Sequence, residues 1–267
     1  MTAAAKSPLG ERAPLSGRRF SRIENVILVE TIGSTNDLAK TFVEAMLNDG
    51  SDLAPTVVAA RVQTAGRGRA GRVWTTPPGE SLALSLVTPL PEGMARLRIP
   101  VETGIVLARG LSRVFGVEVR LKWPNDLLVA RRKLGGILVE TRSTEDGAYA
   151  VTGVGLNVTA SRSELDEAGL ALATSLAAEG VDRSKLEWDD VVFDVVRLFD
   201  DALENPIDDL AAAFADVTEH TRGDRLVVKD GERTVEGDYR GVTADGLLKL
   251  GTPSGEETIV SGDVATF

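Results

Sequence analysis

The chain has 267 residues, is 43% hydrophobic, and carries a formal net charge of −10 with one histidine and no cysteine. That length buries a core sufficient for one large domain or a large domain plus a small one. Zero cysteine excludes disulfides, thiolate metal sites and a cysteine nucleophile, and no stretch reaches the roughly 18 consecutive apolar residues of a membrane span, so a soluble cytoplasmic protein is expected.

Residues 1–20 place Pro8, Gly10, Pro14 and Gly17 among Arg12, Arg18 and Arg19, without the apolar run of a signal peptide; they read as a disordered lead-in. Residues 25–31 form a β-branched strand. Ser34, three residues ahead of Asp37, then precedes Leu38, Phe42, Ala45 and Met46 as a helix start. Residues 56–63 and 81–90 read as strands on either side of an Arg/Gly loop. Val101, Ile105, Ala108, Leu111 and Phe115 repeat at helical spacing over 99–115, and Gly116 ends that helix. Four strands follow at 117–122, 127–129, 135–142 and 149–158, joined by short turns, which predicts a mixed, largely antiparallel sheet. Two more helices are expected over 188–204 and 207–219. Beyond Gly223, short strands at 225–228, 233–240, 246–250 and 257–260 are separated by Asp230-Gly231, Asp245-Gly246 and Ser254-Gly255, the residue pairs of hairpin turns. The expected division is a lead-in (1–20), a catalytic domain (21–222) and a small β-barrel (223–267), in an α+β fold.

Positive charge is gathered against the average. Residues 53–79 hold Arg61, Arg67, Arg69 and Arg72 and no acid, while residues 119–133 hold Arg120, Lys122, Arg131, Arg132 and Lys133 against Asp126 alone. Taking +4 twice from −10 leaves −18 on the remainder. Such contrast suits a focused anion site; duplex DNA would need a broad basic face. Gly66-x-Gly68-x-x-Gly71 matches the dinucleotide fingerprint in letters, but Val73-Trp74-Thr75-Thr76-Pro77 follows it where a helix would have to open, and the lysine of a P-loop is missing. What survives is physical: glycines let backbone N–H groups approach an anion, and the arginines offer forked donors. Lys122-Trp123-Pro124-Asn125-Asp126 makes a rigid strand-end corner presenting an amide and a carboxylate. Lys133-Leu134-Gly135-Gly136 and Gly153-Val154-Gly155-Leu156-Asn157 put glycines where another group can come close, so a shared pocket is expected. His220, the only histidine, lies far from these motifs and reads as structural or a surface group.

Taken in order, Ser34-Thr35-Asn36, Gln63-x-x-Gly66-Arg67-Gly68-Arg69-x-Gly71-Arg72-x-Trp74, Lys122 to Asp126, Lys133 to Leu138 and Gly153-x-Gly155-x-Asn157 resemble the motif set of biotin protein ligases, over about residues 25–267. The resemblance implies a class II synthetase-like catalytic core with a small SH3-like β-barrel. It implies biotin and ATP as substrates with Mg²⁺, biotinyl-5′-AMP as intermediate, and transfer of biotin to a lysine of a biotin carboxyl carrier protein domain of acetyl-CoA or acyl-CoA carboxylase. By it, Lys133, Arg67 and Arg69 serve the carboxylate and α-phosphate. Ser34, Thr35, Asn36, Gln63 and Gly66 serve biotin, and Gly136, Gly153 and Leu156 let its fused ring lie against backbone. Arg72, Trp74, Asn125 and Asn157 belong to the adenylate side, Trp74 and Trp123 supply apolar walls, and Asp126 lies near the metal or the acceptor lysine. Bifunctional members carry an N-terminal winged helix-turn-helix, which a basic, proline-containing stretch of twenty residues cannot build, so the monofunctional type without DNA binding is expected. Monomer and homodimer both stay open. Lipoate ligases, with the same adenylate logic, are the nearest alternative; a nucleic-acid-binding module finds only Trp74 for stacking near its basic loop.

Overall fold

The computed structural model describes residues 19–48, 52–77, 79–91, 93–94, 96–144 and 147–266; all of the expected lead-in except Arg19 and Phe20 lies outside the described residues. Strand β1 (Asn25–Ile32), helix α1 (Thr35–Asn48) and strand β2 (Thr56–Gln63) form a parallel crossover. Strand β3 (Ser81–Pro89) follows, then helix α2 (Arg98–Phe115) and the strands β4 (Val119–Lys122), β5 (Asp126–Val129), β6 (Arg132–Thr144) and β7 (Gly147–Asn157). The seven strands are ordered β1-β2-β3-β7-β6-β5-β4, antiparallel except for the first pair.

Period-two alternation decides what each face of this sheet meets. Val57 and Ala59 of β2, Leu82, Leu84 and Leu86 of β3, and Val154 and Leu156 of β7 point into the main core. That core is closed by α2 and α4 (Trp188–Glu204), which approach closely because a Cβ on Gly110 would lie 2.3 Å from Leu198. On the other face Val58, Val87, Tyr149 and Val151 pack with Ala39 and Val43 of α1 in a smaller cluster. Gly153 and Gly155 continue the row of Tyr149 and Val151, so the glycine run faces the α1 side, beyond the end of the hydrophobic cluster.

The N-terminal strand is anchored by Asp200 of α4, a buried carboxylate that accepts the N–H groups of Ser21, Arg22 and Ile23 at 2.7, 2.7 and 2.8 Å. Helix α3 (Arg162–Glu167), which the sequence reading did not anticipate, starts at a Ser161/Glu164 capping box. Helix α5 covers Leu210–Val217, shorter than the expected 207–219 because the Asp209 side chain accepts the Ala212 N–H and so sets the start. The second sheet comprises β8 (Arg225–Asp230), β9 (Arg233–Val242), β10 (Leu248–Thr252), β11 (Gly255–Ile259) and β12 (Asp263–Thr266), all antiparallel, in the order β11-β10-β9-β8-β12. The last strand, absent from the sequence reading, returns to pair with β8. The two sheets are joined where buried Trp123 donates its indole N–H to the carbonyl of Gly246 at 2.8 Å. Gly246 has φ 82°, and a Cβ there would sit 3.1 Å from the carbonyl of Leu97.

Candidate active site

The Arg/Gly loop leaves β2 as a narrow hairpin. Gly68 donates its N–H to the carbonyl of Arg72 at 2.7 Å and Trp74 to that of Gly66 at 3.0 Å. Arg69–Gly71 make one 3₁₀ turn, with Ala70 and Gly71 at φ 52° and 72°. The hairpin is tight at its base, where a Cβ on Gly66 would be 2.6 Å from the Trp74 carbonyl. Past the hairpin, the Trp74 indole lies on the glycine run. A Cβ on Gly155 would stand 2.6 Å from Trp74 Cε2, while one on Gly136, its cross-strand partner, would stand 3.5 Å from Trp74 Cζ3. Glycine on β7 is therefore the seat of the indole.

Beneath the hairpin is a cavity of about 140 Å³. Its polar side is built from the start of α1: Ser34, Thr35 and Asn36 are all buried. Gln63 Oε1 accepts the Thr35 N–H at 2.9 Å and its hydroxyl at 3.2 Å. Ser85 Oγ lies 2.8 Å from Thr35 Oγ1 and 2.6 Å from Asn36 Oδ1. A Cβ on Gly153 would be 2.4 Å from that same Asn36 oxygen, which explains the residue. Buried polar groups so interlinked hold fixed orientations.

Cations ring this floor. Lys133 Nζ bonds Asp126 Oδ1 at 2.7 Å and stands 5.6 Å from the centre of the Trp74 ring. Arg69 donates to Asn125 Oδ1 at 2.9 Å and to the Gly262 carbonyl at 3.4 Å, and Arg72 bonds Asp263 at 2.8 Å, so the second sheet touches the loop. Arg67 grips Asp37 with two parallel bonds of 2.6 and 2.7 Å and reaches Glu140 at 3.4 Å. Lys40 lies between the two acids, 2.9 Å from Asp37 and 3.0 Å from Glu140. The bond from Arg67 holds the Asp37 carboxyl well below the usual range, and Asp37 in return raises the guanidinium of Arg67. Burial alone would raise the Glu140 carboxyl, but hydrogen bonds from Asn36 and Lys40 outweigh it and lower it.

Among the residues expected at the site, Ser34, Thr35, Asn36, Gln63, Arg67, Arg69, Arg72, Trp74, Asn125, Asp126, Lys133, Gly136 and Gly153 all line this one cavity. Four of the residues expected at the site, Leu156, Asn157, Trp123 and Gly66, do not line it. Leu156 points to the opposite face of β7 and is 1% exposed in the core, as alternation from Val151 requires. Asn157 gives its amide to the carbonyls of Thr174 at 2.8 Å and Lys133 at 3.4 Å, so it braces the strand carrying Lys133 and does not line the cavity. Trp123 is a core residue tied to the second sheet instead of a wall of this cavity. Gly66 acts at the base of the hairpin. Gly135 and Gly136 lie within β6, and Gly153 and Gly155 within β7. The sequence reading missed Lys40, Glu140 and Ser85, and took Asp37 only as a helix-start residue. Glu140 was legible in one respect, since it shares a strand face with Gly136 and Leu138. His220 is buried against Tyr239, ring centres 5.6 Å apart, away from the cavity.

The family model described as Biotin/lipoate A/B protein ligase family matches residues 28–157, a span that holds every residue lining the cavity. The model for the Biotin protein ligase C terminal domain matches residues 224–265. The chain belongs to the biotin protein ligase family. Within it, this ligase-family chain is 38% identical to the Bifunctional ligase/repressor BirA of Salmonella typhimurium, over 58% of its own length and 50% of that protein. It is 37% identical to the Biotin--[acetyl-CoA-carboxylase] ligase of Mycobacterium tuberculosis over 60% of its own length and 58% of that protein's. The chain thus spans about half the length of the first of these relatives. Its fold matches the biotin protein ligase of Aquifex aeolicus in complex with biotin and ATP, with a TM-score of 0.69 at 23% identity, covering 91% of this chain and 98% of that one. The Leishmania major biotin protein ligase in complex with biotinyl-5-AMP matches with a TM-score of 0.57 at 26% identity, covering 90% and 98%.

Proposed function

We propose that this chain is an ATP-dependent biotin--[biotin carboxyl carrier protein] ligase that works in the cytoplasm. The observation that carries this reading is one small cavity in which a buried hydrogen-bonding floor meets Lys133, Arg67 and Arg69. In the first step the biotin carboxylate oxygen bonds the α-phosphorus of ATP while the bond from that phosphorus to the bridging oxygen breaks, releasing pyrophosphate. Two anions must meet, so fixed positive charge is required, and Lys133 and Arg69 supply it with Arg67 at the rim. Ser34, Thr35, Asn36 and Gln63 suit a ureido ring, which presents both donors and an acceptor. Gly136 and Gly153 leave room for the fused ring, and Trp74, Arg72 and Asn125 border the nucleotide. A divalent cation bound with the triphosphate would offset phosphate charge; held mostly by phosphate and water, it suits a cavity whose only carboxylate among the described lining residues is Asp126.

In the second step the amine of a carrier lysine attacks the mixed-anhydride carbonyl. The new C–N bond forms as the C–O bond to AMP breaks, and the amine gives up a proton. A free lysine, with pKa about 10.4, is mostly protonated at neutral pH, and in this reading Asp126 would orient that amine. The test is biotin-dependent ATP–pyrophosphate exchange, with lipoate in parallel, followed by transfer to a carrier domain. Exchange with biotin alone, lowered at least about 100-fold in Lys133→Ala, is expected. Exchange with lipoate alone, or with neither acid, refutes the reading.

A further inference from the structure

The hairpin's own hydrogen bonds, Gly68 to Arg72 and Trp74 to Gly66, close it on itself but do not fix it over the cavity. That requires ties to the body of the domain, and the tightest is Arg67 to Asp37, two parallel charge-assisted bonds of 2.6 and 2.7 Å. Asp37 stands in the first turn of α1, one residue after the buried Thr35-Asn36 pair of the cavity floor, and neither Asp37 nor Glu140 lines the cavity. The acids therefore reach the site only through what they hold. Lys40 bonds both of them, and Asn36 donates to Glu140 at 2.8 Å, so the four charges form a neutral, braced network. An isolated exposed ion pair would be worth little, but bidentate geometry within a network is the circumstance in which such a pair counts.

We propose that Asp37 is a positioning residue for Arg67: it grips the guanidinium from α1 and so holds the Arg/Gly hairpin over the cavity floor before any ligand arrives. A loop ordered in advance spares the ligand part of the cost of ordering it. The effect on catalysis rests on the ligase reading above; the effect on the empty loop does not.

The test uses the full chain. In Asp37→Ala, trypsin should cut the ligand-free protein after Arg67, Arg69 or Arg72 about fivefold faster, as expected when a local tie is lost. KM for biotin in pyrophosphate exchange should rise about fivefold with kcat within about twofold, Asp37→Glu should recover most of the loss, and Asp37→Ala should add nothing in an Arg67→Ala background. Asp37 is half-exposed, so thermal stability should barely move. Unchanged loop cleavage, or an equal rise in KM when Arg67 is already absent, overturns the proposal. Should the parent protein show no biotin-dependent exchange, the ligase reading fails and the proteolysis comparison still decides the role of Asp37.

Discussion

Gly136 and Gly155 face each other across β6 and β7 beside the same indole, yet alanine should displace the indole at Gly155 and leave it in place at Gly136. At Gly155 the new methyl would stand 2.6, 2.8 and 2.9 Å from Trp74 Cε2, Nε1 and Cζ2. Carbon atoms settle at about 3.5–4.0 Å, so the ring has to lift by about 1 Å or leave. At Gly136 the nearest atoms, Lys133 Cε and Trp74 Cζ3, would be 3.5 Å away, an ordinary contact. Forcing a methyl into a packed site costs about 1–3 kcal/mol, and here the strain is relieved by the indole swinging out, which also forfeits its contact with Lys133. The closed position of Trp74 should then lose roughly 5- to 150-fold in population, at about 1.4 kcal/mol per factor of ten. Acrylamide quenching of Trp74 fluorescence in ligand-free protein, with Trp123 and Trp188 replaced by phenylalanine, reads that population without relying on activity. Increased quenching in Gly155→Ala with Gly136→Ala like the parent is expected. Equal quenching in both variants would refute the seating of the indole on Gly155.

Arg69→Gly removes the bond to Asn125, and the adenylate should escape about tenfold faster and label bystander lysines; carrier labelling at the parent rate with no stray biotinylation would count against the role of Arg69. Asp200→Ala leaves three backbone N–H groups at residues 21–23 unpaired and should cost about 2–4 kcal/mol in denaturant unfolding. Burial works against the Asp200 carboxylate, but those N–H bonds outweigh it and lower its pKa. Its contribution is thus complete above the unfolded value of about 3.9 and is lost as pH falls through the lower folded value, so the variant should lose that part of the acid dependence of stability. Burial, with Lys122 adding to it, pushes the His220 imidazole down to about 4. Unfolding then takes up a proton between about pH 6.5 and 4, and stability falls as pH drops across that window. A proton NMR titration of this single imidazole should give a midpoint near the lower end; a midpoint at or above 6.5 would contradict its burial.

Much of the architecture was legible because it is written in short-range patterns. Helical spacing from Val101 to Phe115 located α2, and the Asp-Gly and Ser-Gly pairs located the hairpins of the second sheet. The ordered motifs around Gln63, Arg67, Lys133 and Gly153 pointed to one pocket because they set glycines, which let another group come close, beside cations that suit an anion. Strand alternation also carried the fate of Leu156, since Tyr149, Val151, Gly153 and Gly155 share one face and Leu156 takes the other. Only the tertiary structure decided that Gly155 seats Trp74, that Asp37 and Glu140 hold Arg67, that β12 returns to β8, and that Trp123 ties the sheets together. Those contacts join residues far apart in the chain, where strand register and the docking of α1 choose the partner, and local sequence periodicity carries no information about either.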